Sequence, residues 1–485
     1  MVFYSTVFLF IFLPLVLLVH FCLRFSRIQN IFLLIASLFF YAWGEPVSVL
    51  LLLGSIAFNY LLGGLIGRAR EGKIWGKMLV AVALTGNLGL LAFYKYAHFF
   101  LDNLNGLFRL GAVPPVIIFP IHLPIGLSFF TFKAISFIID TYRQDTPVCR
   151  NPLQVGLYIS FFPQILAGPI VRFKEMAPQL ARHALSLADF AKGMERMILG
   201  LGKKMILASA FGEKADLIFA IPTSQLTPDL AWLGAILYTL EIYFDFSGYS
   251  DMAIGISKML GFTVPENFNY PYTATSVREF WRRWHITLSH WFRDYLYLPL
   301  GGNRRSEGRV YFNLLSVFLL CGLWHGASWN FIVWGLFHGT FLILERLGGE
   351  ELLQRIWRPV RHLYALAVIV FGWVLFRSDS LTQALGHLKA MAGWAAGDGL
   401  KHNLAFYLTG ELLGFLLMGM LLATPLHPYW GAAWKRLIEG QPRSRALALE
   451  LTFSLGGLLF LALLLGASLM VMASRAYSPF IYFRF

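Results

Sequence analysis

Long apolar segments alternate with short polar ones along almost the whole chain of 485 residues. A helix needs about 20 apolar residues to cross the hydrocarbon core of a bilayer. By that rule the pattern predicts an all-α polytopic membrane protein with about 11–13 transmembrane helices. The candidate spans lie near residues 4–23, 28–43, 46–66, 78–100, 115–139, 153–170, 193–220, 230–260, 310–347 (long enough for two passes), 360–376, 403–425 and 450–473.

Several of these segments are interrupted by proline or glycine. The interruptions read FPIHLPIGLSFF at 119–130, FFPQILAGPIVRF at 161–173 and FDFSGYSD at 244–251. Irregular backbone at membrane depth is tolerated only where it is buried in protein or lines a cavity. The breaks therefore predict re-entrant segments around a central tunnel rather than a simple helix bundle.

The composition agrees with a membrane protein, since 57% of the residues are hydrophobic and only 14% are charged. Soluble domains carry about 25% charged residues. No internal repeat or long linker is present, so we expect one membrane domain over 1–485. The first apolar run lacks the basic start and cleavage site of a signal peptide, and we expect it to be a retained helix. The three scattered cysteines predict neither a disulfide framework nor a metal site.

The formal net charge is +14, and basic clusters lie at 67–73, 355–362 and 435–445. In a polytopic protein such an excess of Lys and Arg marks cytoplasmic loops that contact anionic lipid. The lipid bilayer therefore explains the charge, and no motif indicates a nucleic-acid partner.

Residues 276–309 are too polar for a span, with seven arginines and three acidic residues. If this segment were one continuous helix, four side chains would lie along one face as a single stripe, with Trp281 beside them. They are those of Arg278, Arg282, His285 and Ser289. The stripe is typical of an amphipathic helix at the membrane interface. It would equally suit a basic wall facing a cavity that binds an anionic ligand such as a nucleotide phosphate. The two interpretations are compatible.

The run LLCGLWHGASWNFIVW contains His325 in a segment apolar enough for a membrane. An ionisable side chain at that depth costs about 2.5 kcal/mol or more, so it is a candidate functional residue. The structural alternative is a histidine bonded to a carbonyl group in the core. If the run were one helix, Cys321, Ser328 and Trp329 would share the face of His325. The second histidine, His285, and the broken helices favour the functional interpretation.

Other ionisable residues have alternative explanations. His338 follows His325 on the same run, but the sequence has no second pair of histidines to bind a haem. We therefore interpret it as structural, like His98, His122 and His290.

Three acids in one span, Glu241, Asp245 and Asp251, would form the coupling relay of a transporter or exporter. Alternatively they hold Lys or Arg partners, which we prefer because several lysines lie in or near the spans.

Two motifs carry a resemblance to a known family. REFWRRWHITLSHWFRDYLYLPLGGNR at 278–304 and GLWHGASWNFIVWGLFHG at 322–339 resemble the membrane-bound O-acyltransferase (MBOAT) family. The similarity is strongest to its bacterial branch, the membrane component of alginate and other exopolysaccharide O-acetylation systems. FFPQILAGPIVRF, EIYFDFSGYSDMAIGISKMLGF and the terminal FIYFRF resemble the same branch, and proteins of D-alanyl transfer are related.

The resemblance implies a fold, an activity and partners. The family fold is a ring of helices around a thin centre, in the bacterial inner membrane. The donor would be a cytosolic thioester, acetyl-CoA or an acyl carrier protein, and no cofactor would be bound permanently. Acetyl would pass to a periplasmic SGNH-type acetyltransferase and from there to a polysaccharide such as alginate.

The resemblance also implies roles for individual residues. His325 matches the catalytic position and His285 the second histidine. We expect His325 to be the general base because an imidazole is a suitable base near pH 7. We expect the other binding residues to be Trp281 or Asn330 at the thioester, Arg278 and Arg282 at the donor phosphates, and Ser328 and Trp329 beside the histidine.

The terminal FIYFRF resembles a partner motif in which a tyrosine relays the acyl group. We expect Tyr482 to be such a relay or, alternatively, one of the aromatic residues that hold a helix end at the membrane interface.

Overall fold

The computed structural model describes residues 1–69, 74–111, 113–117, 119–394, 397 and 399–474. Within these residues the secondary structure is helical and contains no β-strand. The all-α polytopic fold predicted from the apolar pattern is therefore confirmed.

The helices before residue 260 build the first part of the fold. They are α1 (Leu13–Cys22), α2 (Ser26–Gly44), α3 (Ser48–Ile66), α4 (Ile74–Leu110), α5 (Leu127–Tyr142), α6 (Pro152–Ser160), α7 (Phe162–Ile165), α8 (Phe173–Ala181), α9 (Leu187–Gly202), α10 (Ser209–Phe219) and α11 (Pro228–Met259). π-helical turns at Phe8–Phe12 and Lys203–Ala208 extend α1 and join α9 to α10.

The helices after residue 260 carry the two motifs. They are α12 (Val277–Arg283), α13 (Ile286–Phe292), α14 (Glu307–His325), α15 (Trp329–Leu344), α16 (Glu350–Arg355), α17 (Arg358–Arg377), α18 (Leu381–Met391), α19 (Leu404–Tyr407), α20 (Gly410–Leu422), α21 (Leu426–Glu439) and α22 (Arg443–Ser474). A 3-10 turn at Pro271–Thr273 and π turns at Arg293–Tyr297 and Glu345–Gly349 complete the described secondary structure.

Six helical segments of the described chain are long and apolar enough to cross a membrane. They are Ser26–Gly44, Ser48–Ile66, Ile74–Leu110, Trp329–Arg355, Arg358–Arg377 and Arg443–Ser474. Other candidate spans are broken where the sequence has proline or glycine. The segment 153–170 forms α6 and the single turn α7, and in 115–139 the helix begins only at Leu127. Two of the three predicted interruptions, at 119–130 and 161–173, are therefore real breaks in the helices. The third is wrong, because FDFSGYSD at 244–251 lies inside the continuous helix α11.

Glycines set the distance between the central helices. A Cβ added to Gly200 of α9 would lie 2.5 Å from the carbonyl oxygen of Gly248 on α11, and one added to Gly193 would lie 2.6 Å from that of Gly255. A Cβ on Gly322 of α14 would likewise collide with a backbone carbonyl of α15. Small residues allow helices to approach backbone to backbone. The apolar run around His325 is thus folded into a close pair, α14 and α15, of which the segment that begins at Trp329 is one of the six candidate spans.

The structure also corrects the expectation that the first motif forms one continuous helix. Residues 276–309 do not form one helix, because α12 ends at Arg283 and α13 begins only at Ile286. The single stripe through Arg278, Arg282, His285 and Ser289 is therefore wrong, and His285 lies at the break. Much of the segment is inside the protein, since Phe280 is 0% exposed and Trp284 is 3% exposed.

Candidate active site

His325 is the last residue of α14, and residues 326–328 turn the chain into α15. Its side chain is buried, at 6% exposure. The centroid of its imidazole lies 4.9 Å from that of Trp324, 5.0 Å from that of Trp334 and 5.1 Å from that of Phe376. A wall of aromatic rings excludes water, which strengthens the electrostatic interactions made inside it.

The end of α14 is held by two side chains of α4. The last carbonyl groups of a helix have no partner within the helix. The Tyr96 hydroxyl donates to the carbonyl of Leu323 over 2.6 Å. The Lys95 ammonium donates to the carbonyl of Trp324 and, over 3.3 Å, to that of His325. A cation is also favourable at this end of the helix dipole. Lys95 and Tyr96 therefore fix the turn that carries His325.

His285 connects α12 to α13 with a φ of 42°, in the left-handed region that residues other than glycine rarely adopt. Its side chain is 0% exposed. The ring of Trp324 lies 6.0 Å from that of His285 and 4.9 Å from that of His325, measured between centroids. The fold thus brings the histidines of the two motifs to one tryptophan.

Two buried indole groups lie beside this pair. The ring centroid of Trp281 lies 5.7 Å from that of Trp334, which in turn contacts His325. Neither indole N–H has a hydrogen-bond partner within the described part of the chain. An indole nitrogen can only donate, and a buried donor without an acceptor is costly. The two N–H groups are therefore available to an oxygen atom of a ligand.

The predicted residues at the start of α15 differ in their placement. Asn330 is buried, and its amide donates to a carbonyl at the C-terminal end of α17. Ser328 is the N-cap residue of α15, but its hydroxyl makes no capping hydrogen bond. Trp329 is 52% exposed, and its indole donates to Asn103 of α4 over 2.9 Å. Because α14 ends at His325, the expected common helical face with Ser328 and Trp329 is wrong.

The arginines of α12 have different surroundings. The Arg278 guanidinium forms an ion pair with Glu350, and Arg283 pairs with Glu279 at 2.8 Å. Burial alone would raise the pKa of Glu279, but hydrogen bonds from a backbone N–H and from Arg283 hold that pKa below its usual value. The carboxylate therefore stays charged and balances Arg283. Arg282 is exposed.

The predicted relay residue in the C-terminal tail lies outside the described residues. The structure describes α22 as far as Ser474, and Tyr482, with the rest of FIYFRF, lies beyond that residue.

A family model described as MBOAT, membrane-bound O-acyltransferase family, matches residues 71–350. That range contains both histidines and the tryptophan that contacts them. The chain belongs to the membrane-bound O-acyltransferase family. It is therefore a multi-pass membrane enzyme that catalyses O-acyl transfer, as its two histidine motifs indicated.

Three relatives show how much of the chain is similar in sequence to curated proteins. The probable alginate O-acetylase AlgI of Azotobacter vinelandii is 39% identical over 507 residues, which cover 100% of both chains. The peptidoglycan O-acetyltransferase of Helicobacter pylori is 38% identical and covers 81% of this chain and 80% of its own. The teichoic acid D-alanyltransferase of Bacillus subtilis is 29% identical over 52% of this chain and 68% of its own.

Two of the three acids of α11, Asp245 and Asp251, are bound to cations of the neighbouring α9 and its π turn. Asp251 accepts hydrogen bonds from Arg196 at 2.8 Å and from Lys203 at 2.7 Å. Asp245 forms an ion pair with Lys204. These contacts are what the structural interpretation of the acids requires. The ion pairs join α9 to α11, and they favour this structural interpretation over the coupling relay of a transporter.

Sequence reasoning missed two residues of the O-acyltransferase site. Lys95 is one of the several lysines in or near the spans, and it bonds a chain segment about 230 positions away. Asn267, in PENFNYPY before the first motif, accepts a hydrogen bond from His285. An asparagine in a proline-rich stretch beside a motif was the available signal.

Proposed function

We propose that this O-acyltransferase carries acetyl from a cytosolic thioester across the bacterial inner membrane for O-acetylation of an exopolysaccharide such as alginate. The donor is acetyl-CoA or an acetylated acyl carrier protein, and the periplasmic receiver is an SGNH-type acetyltransferase. The names of the Azotobacter and Helicobacter relatives support the acetyl group, and the first of them supports alginate as the polymer. The single observation that carries the chemistry is the buried pair His325 and His285 at one tryptophan.

In the proposed reaction the oxygen of a hydroxyl group attacks the carbonyl carbon of the thioester. His325 takes the hydroxyl proton as the new C–O bond forms. The C–S bond then breaks, and the proton passes from His325 to the departing thiolate, so that ester and thiol are the products. Negative charge on the carbonyl oxygen is stabilised by aimed donors in a dry site. The N–H groups of Trp281 and Trp334, which have no partner among the described residues, supply such donors.

The exposed Arg282 is the proposed contact for the donor phosphates. Arg278 is proposed to contact the same phosphates with its guanidinium, which the ion pair with Glu350 holds in place. Asn330, Ser328 and Trp329 border the turn after His325, where Asn330 ties that turn to α17.

The direct test is transfer of labelled acetyl in proteoliposomes that contain the enzyme and the periplasmic partner. We expect His325→Ala to lower transfer by about 10²- to 10⁴-fold, the usual contribution of a general base. His338→Phe is the matched control, because this buried histidine makes no hydrogen bond within the described residues. Transfer at the normal rate by His325→Ala would overturn the proposed chemistry.

Donor binding is tested separately by supplying acetyl-CoA or the acyl carrier protein thioester in the same vesicles. We expect Arg282→Ala to raise the KM for the donor about tenfold, as for loss of one charged hydrogen bond. Arg283→Ala is the control because its charge is already paired with Glu279. Equal effects of the two variants on KM would contradict the phosphate contact.

Tyr482 is proposed as a relay that accepts the acetyl group before the periplasmic partner. Support comes from the resemblance of FIYFRF to a relay motif. Mass spectrometry of the tail during turnover should detect acetyl on Tyr482, and Tyr482→Phe should stop transfer to the partner. Full transfer by Tyr482→Phe would leave the tail as an interfacial anchor.

A further inference from the structure

Asn267 holds the turn between α12 and α13 through four hydrogen bonds. Its side-chain oxygen accepts from His285 Nδ1 at 3.1 Å, from the Thr287 backbone N–H at 3.3 Å and from the Thr287 hydroxyl at 2.8 Å. Its backbone carbonyl accepts from the Ile286 N–H at 3.0 Å. The side chain is 0% exposed, and its amide nitrogen donates to the Ser250 hydroxyl of α11. One residue therefore contacts three consecutive residues of the histidine turn.

These contacts determine which nitrogen of His285 carries the proton. A backbone N–H can only donate, so the atom of Asn267 that faces Thr287 must be the carbonyl oxygen and not the amide nitrogen. The same oxygen faces His285 Nδ1, which must therefore carry a hydrogen. In a neutral imidazole the other nitrogen, Nε2, then has a free lone pair. Nε2 is buried and has no hydrogen-bond partner among the described residues.

The same contacts stabilise an unfavourable backbone conformation. His285 has a φ of 42°, and a left-handed residue other than glycine costs on the order of 1 kcal/mol. The bonds from Asn267 to residues 285–287 offset that cost. Without them, the ring of His285 could turn over and the backbone could relax.

We propose that Asn267 is a positioning residue that holds His285 as the Nδ1–H tautomer and presents its Nε2 to the acyl-transfer site as a hydrogen-bond acceptor. This inference rests on the proposed function of the site. It assigns different tasks to the groups around Trp324. His285 receives a hydrogen bond from an O–H or N–H group of a bound substrate, and it does not donate to the oxyanion. Donation to the oxyanion is left to the indole N–H groups of Trp281 and Trp334.

The first test reads the tautomer directly and needs no activity. Protein labelled with 15N only in histidine is reconstituted in lipid, and the signals of His285 are identified by their loss in His285→Gln. The wild-type protein should show a protonated Nδ1 and an unprotonated Nε2. A protonated Nε2 in the neutral ring would overturn the proposal, whatever the enzyme proves to transfer.

The second test separates positioning from general stability. In Asn267→Ala we expect mixed tautomers of His285 and a fall in kcat of about 10- to 100-fold, as when the partner that orients a metal-binding histidine is removed. The KM for acetyl-CoA should change by less than threefold. Asn267→Asp keeps the acceptor oxygen and should restore both the tautomer and most of kcat.

Asn30→Ala is the matched control. Asn30 is also a buried asparagine, at 4% exposure, and its amide donates to the Leu180 carbonyl. The control should lower thermal stability while kcat and the His285 signals stay unchanged. If Asn267→Ala behaves like this control, Asn267 is only structural and the inference fails. Failure of the proposed function would look different, because wild-type protein with the expected tautomer would then show no acetyl transfer.

Discussion

Replacing Lys95 by methionine tests how the end of α14 is held. The substitution keeps an unbranched chain of similar length but removes the ammonium that donates to the carbonyls of Trp324 and His325. Tyr96→Phe is the natural comparison, because it removes a neutral donor from the carbonyl one residue earlier, that of Leu323. The two variants therefore differ mainly in the charge of the lost donor.

The magnitude follows from those contacts. A hydrogen bond from a charged group contributes about 1.5–3 kcal/mol, and a neutral one about 1 kcal/mol. A cation at a helix C-terminus adds about 0.3–1 kcal/mol. We therefore expect Lys95→Met to lower the free energy of unfolding by about 2–4 kcal/mol and Tyr96→Phe by about 1 kcal/mol.

Two assays read this out. Denaturant unfolding in detergent micelles gives the loss of stability, and acetyl transfer by the folded fraction gives kcat. Each increase of about 1.4 kcal/mol in the activation free energy lowers the rate about tenfold. We expect a misplaced His325 to raise that free energy by at least this amount, so kcat of Lys95→Met should fall at least tenfold. Equal losses of stability in Lys95→Met and Tyr96→Phe would refute the charged bond. Unchanged kcat in Lys95→Met would refute its role in placing His325.

Two further predictions concern the packing of α9 against α11. Gly200→Ala should cost about 1–3 kcal/mol of unfolding free energy through overpacking, because its Cβ would meet the Gly248 carbonyl. Gly457→Ala, which has open space around the added carbon, should not lower the thermal midpoint of unfolding; equal shifts of that midpoint would contradict the close approach. Asp245→Asn should destabilise by about 3–5 kcal/mol because it breaks the buried ion pair between Asp245 and Lys204. The double variant with Lys204→Met should recover most of this loss in the same unfolding measurement, whereas a coupling relay predicts lost activity at unchanged stability.

The apolar pattern predicted what depends on local sequence. The cost of an ionisable group in an apolar run pointed to His325. The length of that run predicted two passes, and two helices, α14 and α15, are observed, of which the one from Trp329 is a candidate span. Proline and glycine marked the breaks at 153–170 and before Leu127. These features could be predicted because they depend on the apolar length and the residue types within a single segment.

Features that depend on distant contacts could not be found in this way. Helical periodicity placed His285 on a continuous stripe, but bonds from Asn267 stabilise a left-handed residue there and end the helix. Trp329 was placed beside His325 because the pattern did not show where α14 ends. The partner of Arg278, Glu350, lies on α16, so only the tertiary structure shows that this charge is paired.

We propose that His325 performs the acetyl transfer that modifies the exopolysaccharide. The most direct measurement is ester-linked acetate on exopolysaccharide isolated from cells that carry either the wild-type chain or His325→Ala, with equal amounts of enzyme in the membrane. We predict acetylated polymer from the wild type and polymer without ester-linked acetate from the variant. Polymer acetylated to the wild-type level in His325→Ala cells would contradict the claim.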